Sequence, residues 1–316
     1  MLFVDNLDAN LKLASSCYPI HLCSFAFLKH LDMDSTLQLI VLLTLEKIEE
    51  NIFRGQNYQT PWGRVFGGQV LAQSLHAAYQ TVDEGRFVHS LHSYFLLSGD
   101  LSLPIIYNVE RVRDGGSFTT RRVVAIQKGR PIFILSASFQ KEQAGLNHQI
   151  NMPDVPPPEA LLTDVQLVES LKDTLPETHR RYTIPRPMEF RPVENFDHIN
   201  PKNAVPFQHI WIKAKQDIDV PLSMHQQLLS YVSDYNLLLT AMLPHRAETA
   251  LEEVFFASLD HAMWFHRPFK TDEWLLFAID SPSASNGRGF SRGNFFTADG
   301  LLVASVVQEG LMRPMK

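Results

Sequence analysis

Three features that identify common protein classes are scarce or missing in this chain of 316 residues. Its two cysteines, Cys17 and Cys23, precede Met33, so the chain from there onward holds neither a disulfide framework nor a thiolate metal site. A formal net charge of −6 excludes the overall basic field that nucleic-acid binding requires. No apolar run reaches the roughly 18 residues needed to span a membrane. We therefore expect a cytoplasmic protein with no nucleic-acid partner and no membrane span.

Several familiar catalytic motifs are also missing. The segment 115–119, Gly-Gly-Ser-Phe-Thr, departs from a nucleophile elbow at its last position, where threonine stands in place of glycine. The segment 287–293 has its third glycine one residue late for a dinucleotide-binding loop. His261 and His266 lie five residues apart in a predicted strand, so they point to opposite faces and cannot readily share a metal. We expect no cofactor and no metal.

The first part of the chain has the pattern of helices followed by strands. Leucine and isoleucine recur at spacings of three and four, which predicts one amphipathic helix over 34–54. The glycine pair Gly67 and Gly68 is predicted to open a second, strongly apolar helix. Alternating patterns separated by glycine turns then predict strands at 90–97, 105–113, 117–127 and 131–140. A helix laid across antiparallel strands is an α+β arrangement.

The second part of the chain repeats this pattern. A helix is predicted to open at Ser233, and strands are predicted at 255–265, 274–281, 287–296 and 301–311. Ser90 and Ser258 have the same separation in sequence as Gln140 and Gln308, which indicates a duplicated domain.

The domain organisation follows from these patterns. Residues 1–32 are predicted to be an N-terminal extension outside the fold, with Met33 as the native start. Residues 33–145 form the first unit and residues 201–316 the second. The proline-rich segment 146–200, with a short helix expected at 162–171, is predicted to be a surface linker between them.

Six ordered segments carry a resemblance to a known family: LEKIEENIFRG at 45–55, VFGGQ at 65–69, HSLHSYFL at 89–96, RDGGSF at 113–118, LDHAMWFHRP at 259–268 and VQEG at 307–310. Through these segments the chain resembles the acyl-CoA thioesterase II family, of the TesB type, over residues 45–313. The resemblance implies a double hotdog fold, in which each of two tandem units wraps a curved antiparallel sheet around a central helix. It also implies a homodimer or homotetramer.

The resemblance further implies hydrolysis of fatty acyl-CoA to free fatty acid and CoA by a water held between an Asp, a Ser or Thr, and a Gln. Asp234, Ser258 and Gln308 match these positions. A carboxylate serves as general base, while a hydroxyl and an amide fix the water for attack. No histidine is placed as a base for Ser258, so we expect direct attack of water rather than an acyl-enzyme. The separation that aligns the two serines also sets Phe66 against Asp234, which predicts one triad per chain.

Each triad residue also has a structural interpretation that the residues alone leave open. Asp234, like Ser233, is a suitable cap for the helix predicted to follow. Ser258 is an ordinary strand residue. Gln308 lies in an apolar strand, where a buried amide needs hydrogen-bond partners.

Other residues are candidates for substrate binding. Gly67 and Gly68 allow close approach of the backbone to the acyl group or to the second half. His89 either lies near the site or is a structural histidine. Four cations of the second half are either CoA-phosphate ligands or solvated charges: Arg267, Lys270, Arg288 and Arg292.

Two other functions compete with hydrolysis. Hydratases of the hotdog fold use an Asp followed five residues later by a His, and here Asp100 is followed at that distance by Ile105. The second alternative is a non-catalytic acyl-CoA binding protein, which has no need of an Asp, Ser and Gln set.

Overall fold

The computed structural model describes residues 33–171, 186–194, 196–197 and 201–315, so the predicted extension at 1–32 lies outside the described residues. The first half contains, in chain order, α1 (Thr36–Leu43), β1 (Glu46–Glu49), β2 (Ile52–Gly55), α2 (Gly67–Tyr79), β3 (Arg86–Phe95), β4 (Ile105–Asp114), β5 (Phe118–Gln127) and β6 (Arg130–Lys141).

The elements that follow begin in the proline-rich segment. They are α3 (Asp164–Leu171), β7 (Met188–Pro192), β8 (Phe207–Ala214), α4 (Leu222–Ser233), α5 (Leu237–Met242), β9 (Val254–Ser258), β10 (Asp260–Phe265), β11 (Leu275–Ser285), β12 (Arg288–Thr297) and β13 (Leu302–Pro314). In the described ranges, no helix is both long enough and apolar enough to cross a membrane.

All described strands belong to one antiparallel sheet. Its order is β1-β2-β4-β5-β6-β3-β10-β13-β12-β11-β8-β7, and β9 pairs with β13 beside this path. The halves meet where β3 pairs with β10, with Leu91 opposite Met263. Outward from this seam both halves place their strands in the same order, β3-β6-β5-β4-β2-β1 and β10-β13-β12-β11-β8-β7. This matching order confirms the predicted duplication.

The two central helices, α2 and α4, pack against each other in antiparallel orientation. The start of α2 contacts the end of α4, where the Gly68 amide donates to Asp234. The end of α2 contacts the start of α4, where the Tyr79 hydroxyl donates to Gln226. Strands β4, β5 and β6 pack on α2, and the shorter α5 packs on β11, β12 and β13. The core therefore lies between the helices and one face of the sheet.

The predicted helix over 34–54 is correct only in its first part. The helix α1 ends at Leu43, and the chain then forms the β1–β2 hairpin. Asn51 takes a left-handed conformation in the turn, with φ of 63°, which asparagine tolerates better than most residues. The leucine and isoleucine spacing continues across this boundary into β1, which is too short, at four residues, to establish an alternating pattern of its own.

The helix α4 and the strand β8 were not predicted. From His225 to Ser233 every residue of α4 is buried, including glutamines, serines and a histidine. These polar side chains are buried because partners satisfy them; for example, Gln227 hydrogen-bonds His76 at 2.9 Å. A helix with polar residues on its buried faces shows no clear amphipathic pattern, so α4 could not be recognised from the sequence.

The proline-rich segment 146–200 contributes to the fold. Its short helix is present as α3, which confirms that prediction. Strand β7 pairs with β8 and extends the sheet. Trp211, from β8, donates its indole N–H to the carbonyl of Pro156 at 2.9 Å. Met152 and Val155 pack on the cluster formed by Trp211, Leu276 and Phe296. The segment therefore covers part of the second half in addition to connecting the two units.

The strands of both halves lie close to their predicted positions, but the expected strand 255–265 is interrupted at Leu259. Val88 precedes a matching irregularity in β3, so Val88 is the counterpart of Ser258. Two residues beyond each interruption lie His261 and Leu91, and Leu91 pairs with Ala137.

The predicted alignment of the halves is therefore wrong by two or three positions in this region, and Ser90 and Gln140 are not the counterparts of Ser258 and Gln308. The register makes Ala137 the counterpart of Gln308. Asp234 directly follows helix α4, and the residue that directly follows α2 is Gln80, so the predicted pairing of Asp234 with Phe66 is also wrong. Throughout 33–145, which the structure describes completely, the first half therefore lacks all three members of the predicted triad, not the carboxylate alone.

Candidate active site

The candidate site lies where the two halves meet. It is formed by the end of α4, the start of α2, the interruption between β9 and β10, and the middle of β13. Asp234 follows the last residue of α4, and Asn236 takes a left-handed conformation with φ of 68° that turns the chain into α5. Asp234 therefore ends one helix and does not cap the next one, which corrects the prediction that a helix opens at Ser233.

The structure brings Asp234, Ser258 and Gln308 together. The Ser258 hydroxyl lies 3.4 Å from Asp234 Oδ1, and Gln308 Nε2 donates to Ser258 Oγ at 2.8 Å. The Gln308 amide also lies close enough to Asp234 to lower the pKa of its carboxyl group. Gln308 is 1% exposed, whereas Asp234 and Ser258 are partly buried. A carboxylate, a hydroxyl and an amide thus share one partly enclosed location.

The first half supplies the start of α2 to this location. The residue before the helix, Phe66, makes no side-chain cap, and the Gly68 amide donates to Asp234 Oδ2 at 2.9 Å. Asp234 therefore satisfies a first-turn N–H group of α2 across the boundary between the halves. The positive end of the helix dipole favours a negative charge there.

Gly67 and Gly68 permit this close approach. A Cβ atom on Gly67 would lie 2.6 Å from Asp234 Oδ2, and one on Gly68 would lie 2.2 Å from the carbonyl oxygen of Tyr231 in α4. Both distances are too short for real atoms, so any larger residue requires the helices or the carboxylate to move. The glycine pair thus lets the first half approach the second, one of the two roles expected of it.

The surroundings of Asp234 favour its protonated form. Loss of contact with water raises the pKa of its carboxyl group from 3.8 to about 7. The hydrogen bonds from Gln308, Gly68 and Ser258 and the positive charge of Arg64 partly oppose this rise in the pKa. A general base is most effective when its pKa lies near the working pH, so this value suits a base that accepts a proton from water.

An aromatic cluster is built on residues next to this site. The Phe66 ring lies 5.1 Å from that of Tyr231 and 4.7 Å from that of Tyr235, the residue after Asp234. The Tyr58 and Tyr231 hydroxyls are 3.0 Å apart and buried. Burial raises the pKa values of both phenols, so both stay neutral. The cluster therefore presents apolar surface beside the carboxylate without adding charge.

His261 belongs to the same network, although the sequence pattern did not single it out for this role. It is fully buried; its Nδ1 lies 2.6 Å from Gln308 Oε1, and its Nε2 lies 2.9 Å from Ser233 Oγ. Burial lowers the pKa of its imidazole to about 4, so it is neutral at physiological pH. His266 is exposed and contacts Ser305, which confirms that the two histidines lie on opposite faces.

Other predicted substrate-binding residues make structural contacts. His89 hydrogen-bonds Ser138 at 2.8 Å, and its ring lies against Phe118 in the first half. Arg267 donates to the carbonyl of Leu302 and to the segment at 147–148.

The remaining cations lie in the second half. Arg288 forms an ion pair with Glu309 at 2.8 Å, and Arg292 forms one with Asp280 at 2.9 Å. Lys270 is exposed. None of these contacts joins the Asp234 network, so binding of CoA phosphates by these cations stays a prediction.

The corresponding end of the first half has a different chemistry. The Val88 amide donates to the Tyr79 hydroxyl at 2.9 Å, and Tyr79 donates to Gln226. Gln226 Nε2 in turn donates to the Val88 carbonyl at 3.1 Å. These groups hydrogen-bond one another and include no carboxylate. Within the described ranges, the Asp–Ser–Gln arrangement therefore occurs once, at the other end of the central helices.

The fold, two tandem units that share one antiparallel sheet, is a double hotdog. A family model described as acyl-CoA thioesterase matches residues 179–311, and one described as the acyl-CoA thioesterase N-terminal domain matches residues 58–140. The chain belongs to the acyl-CoA thioesterase family, and the predicted fold class and family are confirmed.

Two curated proteins illustrate the relationship. The chain is 42% identical over 283 residues to acyl-coenzyme A thioesterase 8 of Homo sapiens, covering 86% of this chain and 88% of the relative. It is 41% identical over 276 residues to acyl-CoA thioesterase 2 of Haemophilus influenzae, covering 87% and 96% of the two chains.

Solved structures agree. The acyl-CoA thioesterase II TesB2 from Mycobacterium marinum is 42% identical, with a TM-score of 0.72 over 86% of this chain and 97% of that one. A hot dog fold protein from Alicyclobacillus acidocaldarius is 17% identical, with a TM-score of 0.69 over 87% of this chain and 97% of that one, which supports the fold alone.

Proposed function

We propose that this chain hydrolyses fatty acyl-CoA to a free fatty acid and CoA, with a water molecule that Asp234, Ser258 and Gln308 position. The observation that carries this proposal is the convergence of three side chains distant in sequence. Gln308 donates to Ser258 at 2.8 Å, the Ser258 hydroxyl lies 3.4 Å from Asp234 Oδ1, and the pKa of that carboxyl group is raised to about 7. Family membership supports the acyl-CoA substrate.

The chemistry proceeds through one addition and one elimination. The water oxygen attacks the thioester carbonyl carbon while Asp234 accepts a water proton. The carbonyl oxygen becomes an oxyanion, which N–H donors from Gln308 or the first turn of α2 stabilise. The tetrahedral intermediate then expels the CoA thiolate, which takes a proton from Asp234 or solvent. Thiolate is a good leaving group, so no strong general acid is needed.

The acyl group is proposed to lie against the central helices. The cluster of Phe66, Tyr231 and Tyr235 offers apolar surface next to Asp234, and burial of each methylene contributes about 0.8 kcal/mol.

Single substitutions test the proposal. Asp234→Ala and Gln308→Ala are each expected to lower kcat by roughly 10²-fold or more, the usual scale for loss of a base or a key donor. Ser258→Ala should reduce it less, because that hydroxyl only positions water. CoA thiol release from palmitoyl-CoA measures turnover, and circular dichroism checks folding.

Three outcomes would contradict the proposal. An acyl adduct on Ser258, detected by mass spectrometry of rapidly quenched enzyme, would replace direct water attack with covalent catalysis. Binding of palmitoyl-CoA without thiol release would make the chain a binding protein. Hydration of crotonyl-CoA in place of hydrolysis would make it a hydratase.

We further propose a cytoplasmic location and assembly as a homodimer or homotetramer. Fractionation of the native host tests the first, and light scattering of the purified chain tests the second. A strictly monomeric, active protein would refute the assembly proposal.

A further inference from the structure

His261 lies in a position that determines which end of the Gln308 amide faces the site. It is in β10, directly across from Gln308 in β13, given that the next pair along is Ala262 and Val307. Its Nδ1 is 2.6 Å from Gln308 Oε1, while Gln308 Nε2 is 2.8 Å from Ser258 Oγ. One end of the amide is thus held by the histidine, and the other end faces the catalytic groups.

The direction of these hydrogen bonds depends on the histidine tautomer. The amide oxygen of Gln308 only accepts hydrogen bonds, so Nδ1 of His261 must carry the proton. The neutral ring then accepts at Nε2 from the Ser233 hydroxyl at 2.9 Å, and that hydroxyl gives up its alternative acceptor, the Ser230 carbonyl at 2.8 Å. In this arrangement the two N–H bonds of Gln308 are available to Ser258 and Asp234.

The opposite tautomer reverses the network. With the proton on Nε2, the ring donates a hydrogen bond to Ser233 Oγ, and the Ser233 hydroxyl donates to the Ser230 carbonyl at 2.8 Å. Nδ1 then accepts a hydrogen bond, so the Gln308 amide must rotate to place an N–H group toward Nδ1 and its oxygen toward the Asp234 carboxylate. Two acceptors would face each other there, and Asp234 would lose a donor.

The first half shows that the fold does not need a polar pair at this point. The counterparts of His261 and Gln308 are Leu91 and Ala137, which are paired and buried. Two apolar residues satisfy packing at the same place in the same sheet. The polar pair therefore accompanies the Asp–Ser–Gln arrangement and not the sheet itself.

We propose that His261 is a positioning residue that holds the Gln308 amide with Nε2 toward Ser258 and Asp234. This inference rests on the proposed function of the three residues. His261 acts through Gln308, whose two amide ends link the imidazole to Ser258.

Two variants separate the ring nitrogens. The side-chain N–H of asparagine takes the place of Nδ1, so His261→Asn keeps a donor for Gln308 and loses the contact with Ser233. Glutamine extends to the place of Nε2, so His261→Gln keeps the contact with Ser233 and loses the donor for Gln308. We expect His261→Gln to lower kcat at least tenfold more than His261→Asn, with KM for palmitoyl-CoA nearly equal in both.

The pH profile supplies a second readout. Gln308 is the strongest of the groups that lower the pKa of Asp234. Loss of its donor should therefore move the acid limb of kcat to higher pH in His261→Gln but not in His261→Asn. Equal kcat losses with unshifted acid limbs, or a larger loss in His261→Asn, would overturn the proposal, because a purely structural histidine predicts no such difference.

The tautomer can be observed without any activity measurement. In the intact protein labelled with ¹⁵N-histidine, the His261 signals should show a protonated Nδ1, and the His261→Asn spectrum identifies them by their loss. A protonated Nε2 would refute the inference. If Asp234→Ala and Gln308→Ala leave kcat unchanged, the proposed function itself fails; if they abolish turnover while the two His261 variants match, only the role of His261 fails.

Discussion

Gly67 lies so close to Asp234 that a single added methyl group should displace the carboxylate. A Cβ atom at this position would be 2.6 Å from Asp234 Oδ2 and 3.0 Å from the Phe95 ring. Real Cβ atoms essentially never come within 3.0 Å of another heavy atom, so the carboxylate must retreat by about 0.4 Å or more, since the first turn of α2 is fixed by packing. The retreat also lengthens the bond from the Gly68 amide.

A displacement of this size is large for catalysis. Misplacement by about 1 Å can cost about 10²-fold in rate, so we expect Gly67→Ala to lower kcat by roughly 10-fold to 100-fold. The assay is CoA thiol release at saturating palmitoyl-CoA, with thermal unfolding measured alongside. Alanine has a higher helix propensity than glycine, so the substitution should not destabilise helix α2 through propensity.

Gly116→Ala is the matched control, because a Cβ atom there meets nothing within 4 Å. Turnover of Gly67→Ala equal to that of Gly116→Ala would refute the reasoning. It would mean that the position of the carboxylate does not limit the rate.

Burial and charge lead to three further predictions. The proposed base Asp234 must be ionised and its pKa is about 7, so kcat should fall as the pH is lowered through about 7. Because the Arg64 charge lowers this pKa, Arg64→Gln should move the fall in kcat to higher pH. A carboxyl whose pKa rises on folding makes the protein less stable as pH increases from 3.8 to about 7, so Asp234→Asn should raise the melting temperature more at pH 8 than at pH 4. Phe295 is fully buried and stacks on Phe277 at 4.0 Å, so Phe295→Ala should lower the free energy of unfolding by about 3–5 kcal/mol in urea titrations, while Val112→Ala, at an exposed position, should change it by about 0.5 kcal/mol or less. The first prediction fails if kcat does not change with pH near 7. The second fails if Asp234→Asn raises the melting temperature equally at both pH values, and the third fails if Phe295→Ala and Val112→Ala lose similar free energies of unfolding.

The sequence predicts the strands well because alternation and glycine turns are local signals. The turn at Gly129, with φ of 70°, requires a conformation that glycine adopts readily, and the β5–β6 hairpin follows from it. Asp234, Ser258 and Gln308 were selected through resemblance to a family. Their spacing alone leaves capping and packing as alternatives, because residues so far apart in sequence carry no local sign of contact.

The elements that were missed depend on tertiary contacts. Helix α4 buries Gln226, Gln227 and Ser233, which are tolerable only because residues of other elements bond them. His261 lies among apolar residues of β10, and its hydrogen bond to Gln308 depends on the pairing of β10 with β13, which the sequence does not show. A single sequence separation cannot align the helices and the strands of the two halves at once. The connection from the central helix to the next strand spans 80–85 in the first half and 234–253 in the second.

Because the two units are joined in one chain, their sequences can differ, which is impossible in a symmetric dimer of identical units. Such a pair necessarily builds the same pocket twice, so any change in one copy appears in both. Here one unit supplies the helix start and the other supplies Asp234. At the opposite end of the two central helices, a hydrogen bond between Tyr79 and Gln226 occupies the equivalent position. One unit can therefore supply the backbone N–H groups of a helix start, while the other supplies the carboxylate, hydroxyl and amide side chains.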